Sequence, residues 1–248
     1  MAEVEHYSPV CPLRVKRPVQ LHRWQTLTFL HWAYEPAIVQ RLLPLGLTVE
    51  TFGDSAWVGL VPFYMRIRVP GIPYLSWISN FCETNVRTYV RDELGQSGVW
   101  FFSLDAERFP AVAAARLGFR LPYMWSRMSF EDDGNAVTYT ATRRWPAHLD
   151  ASSRVRVEIG DRYADDELTD RDHFLTARWA LFSVGGATGR WRRYAHAQHD
   201  PWPLHRATVT ELDDSLVESA GLPAPQGSPL VHYSPGVDVR IGPPHGYR

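Results

Sequence analysis

The segment NFCETNVRTYV, residues 80–90, alternates large or charged residues with small or β-branched ones. A period of two is the signature of a β-strand. One face carries Phe81, Glu83, Asn85, Arg87 and Tyr89; the other carries Cys82, Thr84, Val86, Thr88 and Val90. The second face suits packing beneath a covering element. The first sets a carboxylate, an amide and a guanidinium about 7 Å apart along the strand, with an aromatic at each end. A strand facing solvent would carry those charges at little cost. The aromatics on the same face, and the absence of lysine, point instead to the wall of an interior cavity, because charges are buried when they are paired or used.

Working outward, the chain is rich in strand patterns. TLTFLHW (26–32), LTVETF (47–52), SAWVGLVPFYMRIRV (55–69) and VWFFSLD (99–105) flank the central stretch. Pro62 implies a bulge or an edge in the third of these, and 69–79 reads as a rigid aromatic loop. LPYMWSRMSFE and AVTYTATRRW form a hairpin about Asp133-Gly134, followed by SRVRVEIG, GRWRRYAHAQH, HRATVTELDD and PLVHYSPGVDVRIG, the last with a turn at Pro235-Gly236. Helices are expected over 36–44, over 107–119 with Asp105 as N-cap, over 170–182 behind a Thr169/Asp172 capping box, and over 214–222. The Ala-rich stretch 113–117 is the expected cover for Val86 and Val90. Roughly ten strands, hairpin turns and a few short helices imply a mainly β (α+β) fold, an antiparallel and nearly closed barrel. Residues 1–17 read as a Pro-rich lead-in and 18–248 as one domain.

The 248 residues are 45% hydrophobic and 21% charged, with a net charge of −1. That balance suits a globular domain and offers no basic field for nucleic acid. Cys11 and Cys82 make neither a disulfide framework nor a zinc site. The sequence shows neither a signal-peptide pattern nor an apolar run of membrane-spanning length, so a soluble cytoplasmic protein is expected. Lys16 is the sole lysine, so amine chemistry has one candidate, and it lies in the lead-in.

Seven segments together resemble the YqjF-like family of uncharacterised proteins, which is grouped with the acetoacetate decarboxylase-like barrels. They are LVPF (60–63), NFCETNVRTYV (80–90), VWFFSLDA (99–106), AARLGFRLPY (114–123), HFLTARW (173–179), DPWPLHRA (200–207) and VHYSPGVDVR (231–240). The resemblance spans about 18–242 and implies the decarboxylase-like barrel. It also makes Glu83 the counterpart of that group's active-site Glu. Where the decarboxylases follow a proline with the Schiff-base lysine, GFRLPYMW has Tyr123 and Met124 after Pro122. Without an amine there, an imine electron sink is not expected.

The expected catalytic residues are Glu83, Arg87 and Tyr123, with Phe81, Asn85 and Tyr89 binding ligand. Burial would raise the Glu83 pKa while Arg87 on the same face would lower it. The alternative is a buried Glu83–Arg87 ion pair that only sets register. His196, His199 and His205 lack the spacing and carboxylate company of a metal site, so no metal and no cofactor are expected. GRWRRYAH reads as a solvated strand face rather than an RNA surface. Two functions follow. One is a lyase- or isomerase-like acid/base enzyme acting on a small carbonyl, carboxylate or aromatic compound without a Schiff base. The other is a non-catalytic binder or sensor. The expected partner is a small molecule, with neither nucleic acid nor membrane; a homo-oligomer is compatible with the sequence.

Overall fold

The computed structural model describes residues 7–185 and 191–247. In chain order the strands are β1 (Gln20–Tyr34), β2 (Leu47–Val49), β3 (Thr51–Phe52), β4 (Ser55–Arg68), β5 (Asn80–Asp92), β6 (Ser97–Ala106) and β7 (Tyr123–Asp132). They continue with β8 (Ala136–Trp145), β9 (Ser152–Arg162), β10 (Ala180–Gly185), β11 (Trp191–His199), β12 (His205–Asp214), β13 (Leu230–Ile241) and β14 (His245–Tyr247). Five short helices interrupt them: α1 (Pro36–Gln40), α2 (Ser76–Ser79), α3 (Phe109–Gly118), α4 (Asp170–Thr176) and α5 (Leu216–Ser219). Strands and helices both outnumber the expectation, chiefly because short edge strands leave little periodicity to read. No helix among the described residues is long and apolar enough to cross a membrane.

One mixed sheet runs β14-β11-β10-β6-β7-β8-β9-β12-β13-β1-β4-β5-β2, with β3 on β4. It folds back on itself through two further pairings, β5 with β6 and β11 with β13. The result is ring-like, and β5 sits between β4 and β6, antiparallel to both. Both of its faces are therefore buried. Val86 packs with Leu60, Val137, Val155 and Val157 in one core, while Phe81 packs with Phe63, Leu104, Val112 and Val237 in another. Val90 joins a smaller cluster with Leu47 and Phe182. The cover over Val86 is thus the β8–β9 side of the sheet. Helix α3 lies on the opposite side, with Val112 in the core that contains Phe81.

Pro62 falls where the β1–β4 register shifts, between Gln25 and Leu30. Its missing N–H removes no regular rung there. The expected turn at Pro235-Gly236 is instead continuous strand, with Gly236 opposite Gln25. Thr26 takes a left-handed φ of 50° beside it, and the backbones close up. A Cβ at Gly236 (φ +120°) would lie 2.0 Å from the Trp24 carbonyl oxygen. Backbone cannot rotate away as a side chain can. Gly236→Ala is expected to cost about 2–4 kcal/mol, read as a lower urea midpoint at unchanged slope.

The capping box at α4 forms, with the Thr169 N–H donating to Asp172 at 2.8 Å. The helix ends at Thr176 rather than running on to 182. Its last carbonyls are taken by side chains: Arg178 Nε donates to Phe174 O at 2.7 Å, Tyr89 to Leu175 O at 2.5 Å, and Trp202 Nε1 to Thr176 O at 2.9 Å. With those acceptors satisfied the chain is free to leave as β10. Gly186, expected to end this helix, lies outside the described residues, as do Gly189 and Arg190 of GRWRRYAH. Asp105, expected as a helix cap, is a strand residue buried inside the ring. It receives Arg143 Nε at 2.8 Å and Nη2 at 2.7 Å, and Ser126 at 2.7 Å.

From Tyr7 onward the lead-in packs against α4 and β11. Tyr7 meets Phe174 edge-on at 5.1 Å, and the Val15 N–H donates to Gln198 at 2.7 Å. Lys16 is exposed.

Candidate functional site

A cavity of about 470 Å³ opens on the Phe81 side of β5. That volume falls in the range of small-molecule sites. Its walls include Trp24 from β1, Met65 from β4, Phe101 and Leu104 from β6, and Trp202 beyond β11. Alternation turns the β1 and β4 side chains inward, and on β6 an extra residue opposite Val86 and Arg87 brings Phe101 and Leu104 to the same face despite their opposite parity. Helix α3 offers Pro110, Ala111, Ala114 and Ala115 to the same space, and small side chains let the helix sit close. Ile72 and Leu75, from the segment before α2, line it too while remaining 63% and 48% exposed. That segment is therefore the mouth.

Of the expected site residues, Phe81, Glu83, Arg87 and Tyr123 line this cavity. Asn85 and Tyr89 are buried on the same strand but are absent from its lining among the described residues. Tyr89 instead supports Arg87 from behind. It accepts from Arg87 Nη2 at 3.4 Å, pairs with His31 at 2.6 Å, and packs on Phe174 at 5.2 Å.

The alternative Glu83–Arg87 ion pair does not form. The Glu83 carboxylate accepts the Tyr123 hydroxyl at 2.9 Å, a partner 40 residues away that the resemblance placed at the vacated lysine position. Glu83 and Arg87 are four positions apart, about 13 Å between backbone positions, and each side chain is held elsewhere. Arg87 donates to Leu175 O at 3.3 Å and lies over the Phe29 ring at 5.4 Å. Opposite it on β4 stands Gly59, where a Cβ would come within 2.9 Å of His31 Nε2. A side chain there would push His31 off Tyr89, and glycine keeps that space free.

Burial pushes the Glu83 carboxyl up to about 8, against smaller downward pulls from the Tyr123 hydroxyl and the Asn85 amide. Burial and the adjacent Glu83 hold the Tyr123 phenol well above its usual range. The carboxyl is thus mostly protonated at neutral pH, an acid held next to a phenol in an apolar chamber. An unfolded Glu loses its proton near pH 4.3, so between there and about pH 8 the folded state binds more protons than the unfolded one. Stability therefore falls as pH rises through this window, by at most about 1.4 kcal/mol per unit, and levels off above it. Glu83→Gln should flatten the slope. Urea melts of both proteins across about pH 5–8 check this, and parallel profiles would contradict it.

Several lining residues carried no readable sign of function. Trp24 stacks on Trp202 at 6.1 Å and donates to His22 Nδ1 at 3.2 Å, leaving His22 Nε2 to Gln20 at 2.9 Å. Burial takes His22 down to about 3, and takes His199 down to about 4 with a further push from Arg87. Both imidazoles are neutral. His199 lies in the cavity wall, while His196 packs on Tyr194 and His205 bonds to Gly160 O at 3.1 Å, so the three histidines do not converge. Arg178 also lines the cavity, with Nη1 paired to the buried Glu50. The inward alternation Gln20, His22, Trp24 was the one available clue to these residues.

Residues 21–238 match DUF2071, described as an uncharacterised conserved protein. The uncharacterised protein YqjF of Bacillus subtilis (strain 168) is 31% identical over 224 residues, covering 89% of each chain. Acetoacetate decarboxylase from Legionella pneumophila superposes with a TM-score of 0.63 at 12% identity, over 96% of this chain and 92% of its own. The enduracididine biosynthesis enzyme MppR in complex with pyruvate gives 0.63 at 11% identity, over 95% and 93%. Likeness at that level of identity speaks for the fold, and the fold is the decarboxylase-like one expected from the sequence.

Proposed function

Because the chain belongs to the DUF2071 family of uncharacterised conserved proteins, its chemistry has to be read from its own cavity, and we propose that it binds a small carbonyl, carboxylate or aromatic compound and transforms it by proton transfer at Glu83. The observation that carries this reading is the buried Glu83 carboxyl, bonded to Tyr123 inside an apolar chamber whose desolvation favours its protonated form. A carboxyl titrating near the working pH can both give and take a proton. In an isomerase-like cycle it protonates one substrate atom. The resulting carboxylate is held by the Tyr123 hydroxyl and then recovers a proton from a neighbouring C–H, so the cycle is proton-neutral. Arg87 supplies positive charge for an anionic group on the substrate away from the atoms that react at Glu83.

A covalent imine is not part of this proposal, since Lys16 is exposed on the lead-in and Tyr123 occupies the lysine position of the resemblance. MppR was described with pyruvate bound, which supports a small oxygenated ligand for this cavity as well. Native mass spectrometry of freshly purified protein should reveal a retained small molecule. That molecule, returned to the enzyme in deuterated water, should take up deuterium or change mass. Retention with neither change, in wild type and in Glu83→Gln alike, would favour the alternative of a binder or sensor. Borohydride treatment with acetoacetate is expected to leave no adduct, and an adduct on Lys16 would overturn the exclusion of imine chemistry.

A further inference from the structure

We propose that the cavity takes an elongated organic monoanion, its carboxylate-like end seated at Arg87 and its apolar body lying along the aromatic wall toward Glu83. The proposal deepens the binding reading above by naming the ligand class.

It starts from how the fold treats its other interior arginines. Arg143 is given Asp105, and Arg178 is given Glu50. Arg87 is given neutral groups: the Tyr89 hydroxyl, the Leu175 carbonyl, and the faces of Phe29 and Tyr89 at 5.4 and 5.7 Å. Among the described residues no carboxylate lies within ion-pair distance of it, and its buried Nε–H has no acceptor. A guanidinium keeps its charge in proteins, and even a half-buried charge such as Arg87 is costly without a counter-ion. The surroundings do not neutralise it. His31 and His199 are neutral, and Arg178 adds positive potential. An anionic ligand supplies the missing partner.

The rest of the ligand follows from the walls. Beside the strand between Arg87 and Glu83 the lining is apolar, with Phe101 opposite Arg87 and Leu104 opposite Asn85, and Phe81 lies beyond Glu83. The backbone positions of Glu83 and Arg87 are about 13 Å apart along the strand, and the Arg87 guanidinium turns away from Glu83 to the Tyr89 hydroxyl and Leu175 O. A short oxo acid, with its carboxylate next to its carbonyl, cannot touch both. A chain or ring separating the acid group from the reacting group can.

The test uses ω-phenylalkanoates of graded length and their primary amides, titrated calorimetrically into the full-length protein at fixed salt. Acids should bind about 10–100-fold tighter than the matched amides, with the longer members preferred. Arg87→Met should reduce that ratio to near unity, Arg87→Lys should restore part of it, and Glu83→Gln should leave it unchanged. Equal binding of acids and amides to wild type, or no binding of any acid, overturns the proposal even if an arginine variant fails to fold. So does an Arg87→Met protein that keeps the preference. A Glu83→Gln protein that keeps both its turnover and the acid preference would count against the acid/base reading alone.

Discussion

Glu83→Gln is expected to keep the fold and the ligand while cutting turnover by about 10²–10⁴-fold, the usual contribution of a positioned general acid/base. The amide preserves the shape of the carboxyl and an oxygen to accept the Tyr123 hydroxyl, which now bonds at 2.9 Å. It cannot release or recover a proton at that oxygen. Because Glu83 is not bonded to Arg87, the substitution strands no buried cation, and the melting temperature near neutral pH should not fall. Tyr123→Phe should be milder. It removes the hydroxyl that holds the carboxylate once the proton has left, and should push the acidic limb of the rate profile further up. Rates for the two variants on the retained ligand, alongside thermal melts, decide the matter. A Glu83→Gln protein as active as wild type would remove Glu83 from the mechanism.

Asp105→Asn is expected to be the most damaging conservative change in the chain, at about 3–5 kcal/mol. Asp105 and Arg143 are 0% and 1% exposed, and neither lines the cavity. Their two parallel hydrogen bonds hold β6 to β8, which are not neighbours in the sheet, and Arg143 reaches on to Ser219 at 3.1 Å. Asparagine leaves the guanidinium enclosed without a counter-charge. Replacing both partners by apolar residues, Asp105→Leu with Arg143→Met, should recover most of the loss, since a buried pair contributes little net stability beyond a well-packed apolar one. Denaturant melts of the single and double variants measure this. A single variant within about 1 kcal/mol of wild type would show that water or a rearrangement screens the charge.

The alternation in residues 80–90 was enough to orient side chains. It set Phe81, Glu83 and Arg87 on one face and Val86 on the other, and the structure puts a cavity on the first and a packed core on the second. The Thr169/Asp172 cap was equally legible, because both partners lie within one helical turn. So was the absence of an amine after Pro122. Partners were a different matter. Glu83 was read against Arg87, on its own strand, and is bonded to Tyr123 on another. Asp105 was read as a cap for the next few residues and pairs with Arg143, 38 positions on. Pro235-Gly236 was read as a turn and is strand, because β1 bends to meet it. Backbone periodicity determines the direction in which a side chain leaves the chain, and that much this sequence settled alone. What it meets there depends on which distant strand closes against it. Only the folding back of the sheet through β5–β6 and β11–β13 decided that Glu83 would meet Tyr123 in an apolar chamber rather than pair with Arg87.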